Sequence, residues 1–390
     1  MNGKFDIIKK AEALENDGHY EESKIILKDF LSKYPDSYEA NIVLGTVFKN
    51  SNNSNKALEY FLKAESINSE RADSHNNIGS LYYDKKNNSL ALKYFKKAFS
   101  IAPDEENIRN NFVNALYNNN DFDQALEVLK GSVNNIDYEK FLKCLLAKEE
   151  YDEFWSLIES LSPSPTNIGV AAISAYAAEK LEKNDPYNFC KNPLDHIYFS
   201  KVNILDEIIF NLIKEVKISI EKQNHQFRTQ TLIFNGKQSA GNFFNNSELG
   251  YTFGSYITGL VSDYKNNFSQ KNFLIHSNWP KKNRMNGWFI SLSEGGYLDY
   301  HNHNSGWISG SIYLQIPEKV KSNEGSIEFS LSHPDYPKIN DKKLETRTFD
   351  LSTGDVVMFP SSLFHRTTPF SSSKKRVCFA FDLAPDEVIR

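Results

Sequence analysis

Five of the nine histidines, His276, His301, His303, His333 and His365, fall in the last, strand-like part of the chain. In GGYLDYHNHNSG the two-residue period of a strand sends Asp299, His301 and His303 to one face. Imidazoles that share a face can converge on one metal ion; the same HNH also reads as a solvated strand end. Further on, Gly354-Asp355 makes a turn, VVMFP supplies a buried strand ending at Pro360, and SSLFH delivers His365 from a loop closing back on the sheet. Eleven residues later Arg376 begins the apolar strand RVCFAFDL. A guanidinium buried there needs an anionic partner, because an unpaired buried charge is strongly unfavourable. A bound carboxylate is one such partner; the alternatives are Asp382 or an escape to solvent.

The elements around these residues are short strands. TQTLIFNGKQ carries an Asn235-Gly236 hairpin signal, and GWFISLSEGGYLDYHNH reads as two strands joined at Gly295-Gly296. SGSIYLQI, SIEFSL, TRTFDL, DVVMFP and RVCFAFDL follow, separated by turn residues, so the region reads as an all-β sandwich or barrel. Tyr313 and Gln315 on SGSIYLQI are candidates to reach a bound small molecule. Trp279, Trp288 and Trp307 are rim or core packing by type, and His276 and His333, beside turn formers, are expected at the surface.

The first part of the chain repeats every 34 residues. Ser23, Ala57, Ala91 and Ala125 keep that interval, as do Leu27, Phe61, Phe95 and Leu129; Phe30, Ala64, Ala98 and Ser132; and Leu14, Phe48, Tyr82 and Leu116. Small residues at Ala11, Gly45 and Gly79 mark close helix approach, and Pro35 and Pro103 turn the chain. This is a helix-turn-helix unit that buries its apolar face only by stacking on copies of itself. Residues 139–160 read as an amphipathic pair that continues or caps the array. A Pro-rich SPSPT break at 162–166 follows, then a helix over roughly 203–222 with Ile204, Ile208, Leu212 and Val216 on one face. The expected organisation is α + β and multidomain: an α-solenoid over 1–160, a helical linker and cap over 161–222, and a β-barrel over 223–390.

A chain of 390 residues, 40% hydrophobic and 24% charged, can bury a sizeable core. With Lys+Arg 45 against Asp+Glu 50 and no basic block, nucleic acid is a poor partner. Cys144, Cys190 and Cys378 are too dispersed for a disulfide framework, no stretch has membrane-span length, and the cytoplasm is the expected compartment. The sequence lacks a GxSxG elbow and a Gly-rich phosphate loop before a helix, which removes support for hydrolase and kinase readings.

The 34-residue pattern resembles the tetratricopeptide repeat over about residues 4–139 in four units, departing at Asn41 and His75, where Trp is frequent, and at Val113, where Gly is frequent. Such arrays imply a protein or peptide partner, or a role as spacer or dimerisation arm. GGYLDYHNHNSGWISGSIYLQIP and GDVVMFPSSLFHRTTPF resemble the Fe(II)/2-oxoglutarate-dependent oxygenases on a double-stranded β-helix, over about residues 225–385. That resemblance implies His301 as first iron ligand, His303 at the usual carboxylate position and His365 as distal ligand. It implies Arg376 as the partner of the 2-oxoglutarate carboxylate, and Fe(II), 2-oxoglutarate and O2 as the cofactor set. Position 303 departs from the HxD or HxE pattern, leaving Asp299 as an orienting group or alternative ligand, and Cys378 stands where Ser or Thr is frequent near the co-substrate. The implied function is a hydroxylase acting on a protein, peptide or carrier-bound substrate presented by the repeats. The alternatives are a non-catalytic repeat scaffold with a metal- or ligand-binding barrel, or a metal enzyme that does not use 2-oxoglutarate.

Overall fold

The computed structural model describes residues 2–16, 18–131, 136–161, 167–187, 189–222, 227–228, 232–239, 241–245, 248–269, 273–318 and 321–386. Ser132, the break at 162–166 and the start of TQTLIFNGKQ lie outside them. The chain forms two compact units, residues 1–137 and 138–390. The expected boundaries at 160 and 222 both fall inside the second unit.

The first unit is an array of helix pairs: α1 (Asn2–Asn16) with α2 (Tyr20–Lys33), α3 (Tyr38–Asn50) with α4 (Ser54–Ile67), α5 (Ala72–Asp84) with α6 (Asn88–Ile101), and α7 (Glu106–Asn118) with α8 (Phe122–Lys130). The repeated small and aromatic positions are its core: Ala57, Ala91, Ala125 and Phe61 are fully buried, and Phe95 nearly so. A Cβ on Gly45 would lie 2.4 Å from the Phe61 ring, and one on Gly79 would lie 2.8 Å from the Phe95 ring. Where the next repeat has Val113 in place of Gly, the residue in register with Phe61 and Phe95 is Leu129. The departure is therefore an exchange of volume between two helices that leaves the packing rule intact. Asn41 and His75 anchor the turns before their helices. The Asn41 amide donates to the Pro35 carbonyl and the His75 ring meets the Ser69 carbonyl, each six residues back. Each pair turns at a left-handed residue, and Gly18, Asn52, Lys86 and Asn120 keep the 34-residue interval too.

In the second unit α9 (Tyr138–Ala147), α10 (Tyr151–Ser160) and α11 (Ile168–Leu181) precede β1 (Tyr198–Lys201), α12 (Glu207–Lys222), β2 (Phe227–Arg228), β3 (Ile233–Ser239), α13 (Glu248–Asn267) and α14 (Leu274–Ser277). Then come β4 (Asn283–His301), β5 (Ile308–Gln315), β6 (Ile327–Ser330), β7 (Thr346–Phe349), β8 (Asp355–Pro360), β9 (Phe364–Thr367) and β10 (Arg376–Pro385). Helix α11 is stitched to the barrel: Tyr176 donates to the Pro337 carbonyl at 2.7 Å and Asn340 donates to the Lys180 carbonyl at 2.7 Å. The helices after 137 thus fold with the strands. On α12 the buried stripe is Ile209, Leu212 and Val216, one residue displaced from the expected Ile208, and Ile204 is exposed.

The strand order is β1-β8-β5-β10-β4-β9-β6-β7, with β3 also paired to β4, all antiparallel. This is a double-stranded β-helix, and β4 belongs to both of its layers. Residues 283–292 pair with β10, whereas Leu298 and His301 pair with β9. Gly295, at φ 71°, bends the strand between the two layers. Opposite it, Asn235 (φ 46°) and Gly236 form an irregularity in β3. The expected Asn235-Gly236 hairpin is therefore absent: both turn signals serve facing bulges that turn a barrel corner. The interlayer core holds Ile290, Leu292, Ile327, Phe329, Val357 and Phe359. The other face of β10 and β4 packs Phe379 and Phe289 against Phe243 and Phe253.

Candidate metal centre

Strand β10 is buried on both faces, so its alternation carries the site. Arg376, Cys378, Ala380 and Asp382 point into an interlayer cavity of about 330 Å³, while Phe379 points to α13. Arg376 and Asp382 share a face but stand six residues apart, about 20 Å along a strand. The alternative that would pair Arg376 with Asp382 is thereby set aside: each serves a different end of the cavity.

At one end three histidines meet. His301, at the end of β4, is the direct cross-strand partner of His365 on β9, and their ring centroids are 4.3 Å apart. His365 is thus on a strand, where a loop was expected. His303 lies just past β4, tied by its backbone N–H to the Ser361 carbonyl, with its ring 5.2 Å from His301 and 5.1 Å from His365. One ligand atom from each histidine lies within 4.8 Å of the others, a spacing that could hold a metal ion.

The protons can be assigned from the acceptors. Nδ1 of His301 faces the Asp299 carbonyl at 2.8 Å, Nδ1 of His365 faces the Leu363 carbonyl at 3.4 Å, and Nδ1 of His303 faces the Asp382 carboxylate at 2.6 Å. These oxygens accept, so each Nδ1 presents its proton to them and Nε2 is the nitrogen left to meet a metal. Burial, and then the neighbouring His303, pulls His301 down to about 4. His365 is held well below its ordinary value by burial first and then by His301 and His303. Both rings therefore stay neutral at ordinary pH, as metal ligands must. The donor set fits a divalent transition metal.

Asp299 departs from expectation. Its side chain is exposed and accepts from the Tyr300 N–H, so it is its backbone carbonyl that orients His301, and its carboxylate stands outside the cluster. The carboxylate that does reach a site histidine is Asp382, which the sequence suggests only as a partner for Arg376. Alternation along RVCFAFDL is the signal that could have found it.

Towards the other end lies Arg376, 2% exposed. Its Nε donates to the Gly325 carbonyl at 3.0 Å, its guanidinium lies 5.0 Å from the Tyr313 ring centroid, and Nη1 contacts Cys378 Sγ at 3.9 Å. Among the described residues no carboxylate pairs with it. Burial raises both the Tyr313 hydroxyl and the Cys378 thiol, so the walls around the cation are neutral. Tyr313 lines the cavity; Gln315 does not, its amide being used on the Lys375 carbonyl.

Trp288 also lines the cavity, its ring 5.8 Å from His303. Trp307 is core, donating to the Ile275 carbonyl. Trp279 has the Lys265 ammonium over its ring. His276 and His333, expected at the surface, are half-buried. His276 stacks on His196, and His333 packs on Phe364 with Nε2 at the Tyr300 carbonyl, its pKa lowered by burial.

A family model described as "Putative 2OG-Fe(II) oxygenase" matches residues 286–382, and tetratricopeptide-repeat models match residues 8–37, 38–71 and 82–135. No curated protein matches the chain. Among solved structures, PilF of Pseudomonas aeruginosa is 20% identical, covering 48% of this chain and 87% of its own at a TM-score of 0.39. A Pseudomonas putida prolyl-4-hydroxylase is 11% identical, covering 49% and 94% at a TM-score of 0.35. YrrB, described as a tetratricopeptide-repeat protein with an unusual peptide-binding site, is 20% identical, covering 39% and 81% at a TM-score of 0.34.

Proposed function

From a chain that carries tetratricopeptide repeats ahead of a 2OG-Fe(II) oxygenase domain, we propose a dioxygenase that hydroxylates a protein, peptide or carrier-bound substrate held by the repeats. The observation that carries this reading is the pairing, in one cavity, of three convergent imidazoles with a buried guanidinium that no carboxylate among the described residues pairs with. His301, His303 and His365 would hold Fe(II) through Nε2. Arg376 would bind the distal carboxylate of 2-oxoglutarate, its planar fork matching two oxygens, with Tyr313 under the guanidinium. Fe(II) with 2-oxoglutarate and O2 supplies oxidative C–H hydroxylation coupled to decarboxylation of the co-substrate to succinate.

The chain's own residues bind, orient and exclude water. Neutral walls at Tyr313, Cys378 and Ile327 leave Arg376 as the charge that selects an anion. Each Nδ1–H donates to its oxygen acceptor, which orients the ring so that Nε2 would face the metal. No helix among the described residues is long and apolar enough to cross a membrane. The three cysteines are buried and dispersed, which supports a reducing, cytoplasmic setting.

The test is anaerobic titration of the full chain with Fe(II) and then 2-oxoglutarate. The reading expects a weak visible charge-transfer band that needs both. Stable zinc binding with no response to 2-oxoglutarate would favour the non-catalytic scaffold.

A further inference from the structure

Asp382 is 8% exposed, and its Oδ1 accepts at 2.6 Å from His303 Nδ1 and at 2.6 Å from the Ser309 hydroxyl. Ser309 Oγ is also 2.8 Å from Ser361 Oγ. Gly306 leaves the space for this cluster: a Cβ there would lie 2.4 Å from Ser361 Oγ and 3.4 Å from Asp382 Cγ. The position is built from strands and loops around a single carboxylate.

The three histidines are not backed alike. His301 and His365 donate to neutral backbone carbonyls, whereas His303 alone donates to a carboxylate. Two imidazoles and a carboxylate, the usual facial set for Fe(II), bring one negative charge to the ion; three imidazoles bring none. Resting on the dioxygenase reading, we propose that Asp382 is a positioning residue that returns this missing charge to the metal through His303. The hydrogen bond fixes the ring with Nε2 toward the ion, and the anion behind the ring makes Nε2 a stronger donor. Ser309 donates to the same carboxylate oxygen without adding charge.

The experiment is anaerobic titration of the full chain with Co(II), read by d–d absorption and calorimetry, alongside thermal melts. Asp382→Asn, which keeps the shape and removes the charge, should weaken Co(II) binding about 10- to 100-fold. Ser309→Ala, which leaves the charge in place, should change it by no more than about twofold. In a His303→Asp background the charge sits on the ligand itself, so adding Asp382→Asn should leave Co(II) affinity unchanged or tighter. Wild-type affinity in Asp382→Asn, or the same loss in both backgrounds, overturns the role of Asp382 while leaving the metal site standing. A wild-type chain that takes up no Co(II) overturns the metal reading, and this inference with it. If Asp382→Asn alone does not fold, the comparison of His303→Asp with its double variant still decides.

Discussion

Replacing Arg376 by Met separates a structural arginine from a co-substrate receptor, because the two roles predict opposite balances. The apo protein loses the Nε–H donation to Gly325, about 1.5–3 kcal/mol for a charged donor, and a desolvated cation–π contact with Tyr313 of about 2 kcal/mol. Against this it is relieved of a buried guanidinium that no carboxylate among the described residues neutralises, whose desolvation is worth several kcal/mol. The terms nearly cancel, so apo stability should stay within about 2 kcal/mol of wild type, and Met fills a similar volume. Binding of 2-oxoglutarate, by contrast, loses a charge-assisted pair of hydrogen bonds worth about 3–6 kcal/mol, a weakening of at least about 100-fold. The assay is urea unfolding of the apo chain, with calorimetric titration of 2-oxoglutarate into Co(II)-loaded protein. Equal co-substrate affinity in the two proteins, or loss of more than about 4 kcal/mol of apo stability, would refute the assignment.

Three other outcomes follow from the same geometry. Gly79→Val should destabilise the repeats by about 1–3 kcal/mol, since the new side chain meets Phe95. Combining it with Phe95→Leu, the volume exchange already present at Val113 and Leu129, should recover at least about 1 kcal/mol in urea unfolding; strict additivity would contradict the packing rule. Lowering pH should destabilise the metal-free protein. His301 is pulled from 6.5 to about 4, so between those values the unfolded chain takes a proton that the folded chain refuses. Stability is full above that window and falls through it, and melts of His301→Gln should show a shallower slope; an unchanged slope argues against a neutral, buried ring. Metal removal should lower the melting temperature of loaded wild type but not of His365→Ala, checked by melts with and without chelator.

The repeats were legible because one interval governs small, aromatic and turn positions together, and four copies outvote any single departure. Of the site, the grouping of His301 with His303 was legible from their spacing, whereas His365 was read on a loop and Asp299 on the shared face; the convergence of His301 with His365 follows from the β4–β9 register, which the sequence does not show. Three features escaped. The segment ELGYTFGSYITGLVSDYKNN is a 20-residue helix, although its glycines, aromatics and β-branched residues have poor intrinsic propensity. Its stability comes from Phe253, Ile257, Val261 and Tyr264, a buried stripe at helical spacing. Asn235-Gly236 and Gly295-Gly296 have turn chemistry, yet facing one another across β3 and β4 they bend a sheet, and which use wins depends on the pairing partner. Asp382 escaped because an acid and an arginine on one short strand invite pairing, until the length of that strand is counted.

The most direct measurement is a crystal structure of the full chain grown anaerobically with Fe(II) and 2-oxoglutarate, with anomalous data at the iron edge. One strong peak is expected within bonding distance of Nε2 of His301, His303 and His365, with the co-substrate carboxylate paired to the Arg376 guanidinium. An anomalous peak elsewhere, or an Arg376 that engages a protein acid instead of 2-oxoglutarate, would contradict the proposed centre.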